Sequence, residues 1–280
     1  MVLEWPGNRR GEEEPDMEPV MAKLNYVVRG ESAVFNAANR AESYWPVEEH
    51  VVPIHDVRPL TDELSFDRNG FVLVKGASGV VDAPTDDERK AIYAQEAVDL
   101  ITRLTGARKV ITFGTMLRTD APGAGDGNLP AFGAHVDYGA RTVRDFTLDL
   151  MPEEEAERRL AGRHMLINIW RPLRLVERTP LALCDASTVR RDDLFQSEVR
   201  GGLGDARRRS LWGFNLAYNP DHRWYYAPHM QPDEAYVFRL FDSDPDAVQF
   251  TGHSAFEDPT AAPDAEPRQS IEIRTIAYLS

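Results

Sequence analysis

Phe132-Gly133-Ala134-His135-Val136-Asp137-Tyr138 is the one stretch in which a His is followed two positions later by an Asp. Residues i and i+2 of a β-strand project from the same face. Read as a strand, the segment lets the His135 imidazole and the Asp137 carboxylate reach one metal ion together. On its own the pair says little, since seven His and 24 Asp in 280 residues give roughly 0.6 such matches by chance. Its weight comes from the β-rich chain around it.

Outward from this stretch, β-prone runs follow one another: Val110–Phe113, Met165–Trp170, Leu181–Cys184, Leu211–Phe214, Trp224–Tyr226, Glu234–Arg239, Ala247–Phe250 and Gln269–Tyr278. Ala121–Pro130 is a Gly/Pro/Asp-rich loop, and the charged segment Met151–Arg163 reads as helical. Upstream, Tyr26–Val28, Val51–Ile54 and Gly70–Val74 are further short strands. One long helix is expected after Thr85, where Thr85-Asp86-Asp87-Glu88 is a capping box. Tyr93, Ala97, Leu100, Ile101 and Leu104 form its apolar stripe, and Gly106 is its stop. A long helix ahead of about eight strands predicts a mainly β fold with flanking helices, a double-stranded β-helix of the jelly-roll or cupin-like type. The Glu- and Pro-containing residues 1–20 are expected to form a mobile arm, with 21–280 as a single domain.

Composition narrows the function classes. A net charge of −14 leaves no broad basic surface for a nucleic acid, and so points to a small-molecule partner. The single cysteine, Cys184, excludes an intramolecular disulfide and fits a reducing cytoplasm. No apolar run approaches a membrane span and no secretory leader is visible, so the expected location is cytoplasmic. Oligomeric state is not legible.

A second His beside His135 and Asp137 would complete a 2-His-1-carboxylate triad, which leaves open positions on Fe(II) for a co-substrate and O₂. His222, His229 and His253 are the candidates. His253 is favoured because it lies just before the last strand, with His229 next; His222 and His229 sit in an aromatic, Pro-containing segment suited to stacking and turns. In the last strand, period two puts Arg268, Ser270, Glu272 and Arg274 on one face and Ile271, Ile273 and Ala277 on the other. A guanidinium and a hydroxyl pointing the same way can hold a carboxylate. Such a stripe needs a ligand if it faces the barrel interior and nothing if it faces water. Asn168 and Tyr218 could join a carboxylate site, and Tyr138, Trp170 and Trp224 are candidate walls for a substrate pocket.

Seven motifs occur in order: His135-Val-Asp-Tyr, Asn168-Ile-Trp-Arg-Pro-Leu, Pro180-Leu-Ala-Leu-Cys-Asp, Trp224-Tyr-Tyr-Ala-Pro, Phe238-Arg-Leu-Phe-Asp-Ser, His253-Ser-Ala-Phe-Glu-Asp-Pro and Pro267-Arg-Gln-Ser-Ile-Glu-Ile-Arg. Together they resemble the hydroxylase/desaturase family of natural-product gene clusters, whose members include a fungal gibberellin desaturase and a component of bacterial cephamycin methoxylation. The resemblance covers about residues 65–280 and implies an Fe(II)/2-oxoglutarate-dependent oxygenase acting on an unactivated C–H by hydroxylation, desaturation or ring formation. It implies His135, Asp137 and His253 as iron ligands, and Arg268 with Ser270 as the 2-oxoglutarate anchor. The spacing from His253 to Arg268 is longer than in the plant and penicillin-forming oxygenases, which keeps Arg274 in play as the anchor. Two rival readings are a cupin-like metal-dependent isomerase or hydrolase without 2-oxoglutarate, and a non-catalytic ligand-binding barrel.

Overall fold

A computed structural model describes residues 18–36, 39–125, 128–201 and 210–280. Most of the expected arm lies outside the described residues, and its last position, Val20, already opens the first strand. The strands are β1 (Val20–Val27), β2 (Ala33–Asn36), β3 (Val47–Asp56), β4 (Phe71–Lys75), β5 (Lys109–Thr119), β6 (His135–Val136) and β7 (His164–Pro172). They continue with β8 (Leu181–Cys184), β9 (Leu194–Arg200), β10 (Leu211–Leu216), β11 (Trp224–Tyr226), β12 (Glu234–Asp242), β13 (His253–Ala255) and β14 (Gln269–Tyr278). The helices are α1 (Phe66–Asn69), α2 (Asp86–Thr105), α3 (Ala140–Leu150) and α4 (Glu153–Leu160).

Among the described residues the strands form two sheets, one ordered β1-β3-β11-β8-β13-β6-β10-β9-β2 and one ordered β4-β12-β7-β14-β5. They face each other as a jelly roll, as the strand spacing predicts. Two apolar cores follow from the alternation of side chains. In β7, Leu166 and Trp170 turn inward against Phe71, Phe238 and residues of the larger sheet. Met165, Ile167 and Ile169 turn outward beneath α2, where Tyr93, Ala97, Leu100 and Ile101 cover them with Ile271, Ile273 and Ala277 of β14. Every residue of β7 is therefore buried, which explains its unbroken apolar run.

α2 begins and ends where its caps predict. The Thr85 hydroxyl accepts from the Glu88 N–H and donates to the Glu88 carboxylate at 2.7 Å, and Gly106 closes the helix at φ 69°. Replacing Thr85 by Ala should lower unfolding free energy by about 1 kcal/mol, read as a fall in denaturant midpoint with unchanged slope.

Three segments depart from the sequence reading. Ala247–Phe250 is a loop, not a strand: Asp242 and Asp244 accept from backbone N–H groups two residues on, and Phe250 takes a left-handed φ of 67°. His253, the candidate third ligand from a strand late in the barrel, lies in the short strand β13. The helix α3, which follows Asp137 directly, and the strand β9 were not anticipated.

Candidate active site

β6 and β13 are neighbours, and His135 stands directly opposite His253. The two rings lie 4.2 Å apart between centroids. Asp137, two residues along from His135, brings Oδ1 to 3.3 Å from His135 Nε2, while its Oδ2 lies 4.0 Å from His253 Nε2. One ligand atom from each of the three lies within 4.8 Å of the others, the only such cluster among the described residues. His135 Nδ1 meets the Gly133 carbonyl at 2.7 Å and His253 Nδ1 faces the Thr251 carbonyl at 3.4 Å. Each Nδ1 therefore carries the proton and each Nε2 lone pair points into the site, the arrangement a metal-binding imidazole needs.

Two glycines permit this geometry. Gly133, whose carbonyl orients His135, lies flat against the Trp45 indole, and a Cβ there would collide with it. Gly70 turns at φ 82° against the Thr251 side chain, two residues before His253.

Charge is arranged around Asp137. Burial would raise its pKa, but the Arg274 guanidinium, with His135 and His253, holds the carboxyl well below the usual carboxylate range. Oδ2 is fully occupied: it accepts from Arg274 Nε at 3.1 Å, Arg274 Nη2 at 3.0 Å and Asn168 Nδ2 at 2.8 Å. Oδ1 is thus the oxygen left for a metal. Burial, with His135 beside it, lowers the His253 pKa to about 3, so the imidazole is neutral and ready to ligate.

Beyond the triad a cavity runs between the sheets, lined by Arg118, Ala131, Trp170, Leu181, Ala255, Arg268 and Glu272 in addition to the three ligand candidates. The polar stripe of β14 faces this interior, with Arg268, Ser270 and Arg274 at 1%, 1% and 2% exposure. The two arginines are in different electrostatic states. Arg274 is spent: besides Asp137 it donates to Glu272 at 2.7 Å and to the Gly114 carbonyl at 2.8 Å. Arg268 is not. Its Nη1 reaches the Thr179 carbonyl at 2.8 Å, its guanidinium lies 5.5 Å over the Trp170 ring, and its Nε has no partner. Burial, with the Arg118 charge nearby, lowers the Arg268 pKa to about 10. The Ser270 hydroxyl, on the same face, is also buried without a partner. A buried guanidinium and a buried hydroxyl left unsatisfied side by side are costly unless an anionic ligand completes them. The donor set therefore fits both groups the sequence implied: a divalent iron on the triad and a dicarboxylate reaching Arg268.

Other sequence candidates fall elsewhere. Asn168 holds Asp137 rather than a co-substrate. Tyr218 stacks on His50 at 3.8 Å, outside the cavity lining. Trp224 pairs with Cys184, one residue from Leu183 and hence on the face opposite His253; its indole donates to Tyr26 Oη at 2.8 Å in the core. Tyr138 backs the site, its ring 5.6 Å from the Arg274 guanidinium, without lining the cavity. His222 is buried against Asp193 at 3.2 Å, and His229 sits in a turn at φ 48°. The sequence reading left out Arg118 and gave no role to Glu272, which are ion-paired at 2.9 Å across the cavity wall. Glu272 was visible in the stripe of β14, but Arg118 sits in a strand with no clear alternation.

A jelly roll with two His and one Asp converging inside it, and a buried guanidinium deeper in the same cavity with no carboxylate paired to it among the described residues, defines a class of non-haem iron oxygenases. Comparison with known proteins agrees. The chain belongs to the family described as oxidoreductase/YMDC permease-like domain, whose model matches residues 18–278. It is 31% identical to the hydroxylase/desaturase efuI of Hormonema carpetanum over 81% of this chain and 83% of that protein. It is 33% identical to the hydroxylase/desaturase CTB9 of Cercospora beticola, covering 82% of this chain and 77% of that one. Among solved structures, the iron and α-ketoglutarate-dependent endoperoxidase NvfI superposes with a TM-score of 0.84 at 25% identity, over 94% of this chain and 98% of that one.

Proposed function

We propose that the protein is an Fe(II)/2-oxoglutarate-dependent dioxygenase that oxidises an unactivated C–H of a small secondary-metabolite substrate, with His135, Asp137 and His253 as iron ligands and Arg268 with Ser270 as the anchor for the distal carboxylate of 2-oxoglutarate. The observation that carries the site assignment is the pairing of a metal-ready triad with Arg268 in one cavity, the Arg268 Nε and the nearby buried Ser270 hydroxyl being left without partners. A cupin-like isomerase or hydrolase needs no such anchor, and a non-catalytic barrel needs no triad with both Nε2 atoms turned inward. The single buried, unpaired Cys184 supports a cytoplasmic setting, and among the described residues no helix is long and apolar enough to cross a membrane.

Bound iron, 2-oxoglutarate and O₂ together supply the oxidising chemistry. The chain's own contribution is placement. Arg274 and Asn168 saturate Asp137 Oδ2, so that Oδ1 alone would be offered to a bound iron. The Gly133 and Thr251 carbonyls fix the imidazole planes. Arg268 gives the co-substrate one charge-assisted grip at the far end of the cavity. Leu181, Ala255 and Trp170 supply the apolar part of that lining and would limit water beside the metal.

The test is stoichiometric. Anaerobic Fe(II) and 2-oxoglutarate should together produce a visible charge-transfer band, and admitting O₂ should release succinate. Metal-dependent turnover without succinate would replace this reading by the isomerase or hydrolase. Trp170→Ala should uncouple the enzyme, with succinate outpacing oxidised product, since the wall that aligns the reactants is gone. Equal yields of both would make Trp170 a packing residue only.

A further inference from the structure

Five neighbouring strands of the larger sheet each place one residue in a single row. Leu183 (β8), His253 (β13), His135 (β6), Asn215 (β10) and Phe195 (β9) stand each directly opposite the next. Directly opposed residues share a face, with Cβ atoms about 4.5–5.5 Å apart. Asn215 therefore flanks His135 on one side as closely as His253 does on the other. The two flanks differ. The cavity leading to Arg268 follows Leu181 and Ala255, on the β8–β13 side. Asn215 and Phe195 lie on the other.

Asn215 is 7% exposed, and its carboxamide bonds to no described residue. Its side chain lies on the sheet face that also carries His135. Arg29, whose guanidinium lies 5.9 Å from the Phe195 ring, is committed to the Asp192 carbonyl, Asp193 Oδ1 and the Tyr218 carbonyl. A carboxamide has two donors and one acceptor. It suits a neutral partner such as a hydroxyl or ketone, to which it can donate and from which it can accept.

We infer that Asn215, backed by Phe195, is the substrate-orienting subsite, and that it selects a neutral, largely apolar molecule carrying a hydroxyl or ketone near the C–H to be oxidised. This rests on the iron and 2-oxoglutarate reading above. The carboxamide holds the oxygen function, the Phe195 ring covers apolar skeleton, and the target carbon is presented on the flank of the metal not used by the co-substrate.

The probes share one skeleton: menthol, menthone, menthylamine and p-menthane carboxylate. Iron-loaded protein with saturating 2-oxoglutarate is assayed for succinate release with each. Menthol or menthone should stimulate release most. Asn215→Leu, which keeps bulk and removes hydrogen bonding, should raise the KM for the better neutral probe at least tenfold while the anaerobic Fe(II)·2-oxoglutarate band persists. Asn215→Asp, which keeps the shape, should shift preference toward menthylamine. Unchanged KM in Asn215→Leu, stronger stimulation of the native protein by the acid or amine, or no stimulation by either neutral probe overturns the subsite. Loss of the band in Asn215→Leu also overturns it, because Asn215 would then serve the metal. Absence of the band in the native protein instead rejects the underlying iron and 2-oxoglutarate reading.

Discussion

His253→Ala is expected to abolish succinate release and to strip most of the iron from anaerobically purified protein. The residue supplies a buried, neutral imidazole whose Nε2 faces Asp137 at 4.0 Å across the triad. Loss of an outer-shell partner typically costs about 10–100-fold in metal affinity; loss of a ligand should cost more. His229→Ala and His222→Ala are the controls. His229 occupies a turn and His222 is bonded to Asp193, so iron content should survive both. Iron measured per chain, alongside circular dichroism to establish folding, decides the matter. Full iron loading in His253→Ala with loss in His229→Ala would transfer the ligand role.

The second large effect separates Arg274 of β14 from Arg268, which immediately precedes that strand. Arg268→Ala should raise the KM for 2-oxoglutarate at least tenfold while iron affinity holds. Removing one partner of a desolvated charge pair costs about 2–5 kcal/mol, and each 1.4 kcal/mol is about tenfold in affinity. Arg274→Ala should do the reverse, lowering iron affinity by roughly 10–100-fold through the release of Asp137. Isothermal titration with 2-oxoglutarate and with Co(II) reads both. If Arg274→Ala carried the 2-oxoglutarate defect, the anchor would sit three residue pairs nearer the iron along the same strand.

The contrast between these arginines also shows what kind of information the sequence holds. Period two in Arg268–Tyr278 placed both on one face, and both are there. Nothing in that pattern distinguished them. The distinction is one of partners: Asn168 stands opposite Arg274 and Trp170 opposite Glu272, so Arg274 falls beside Asp137 while Arg268 falls beyond it. Trp224 shows the same limit from the other side. Its strand was legible from three consecutive aromatics, but its face was set by pairing with Cys184, a choice made between segments far apart in the chain.

Local chemistry was therefore written in the sequence by itself. The caps of α2, the alternation of β14, the His-x-Asp pair and the number of β-prone runs are each decided within about a dozen residues, where backbone sterics and side-chain period leave few options. The sequence favoured His253 by its position, but tertiary structure alone set it opposite His135, left Arg268 rather than Arg274 without an ion pair, and stood Asn215 beside His135. Those depend on the register of β6, β10 and β13. Register is set by burying one face of each strand, since a one-residue slip would turn every side chain to the wrong side. That energy belongs to the assembled sheets and to no single segment.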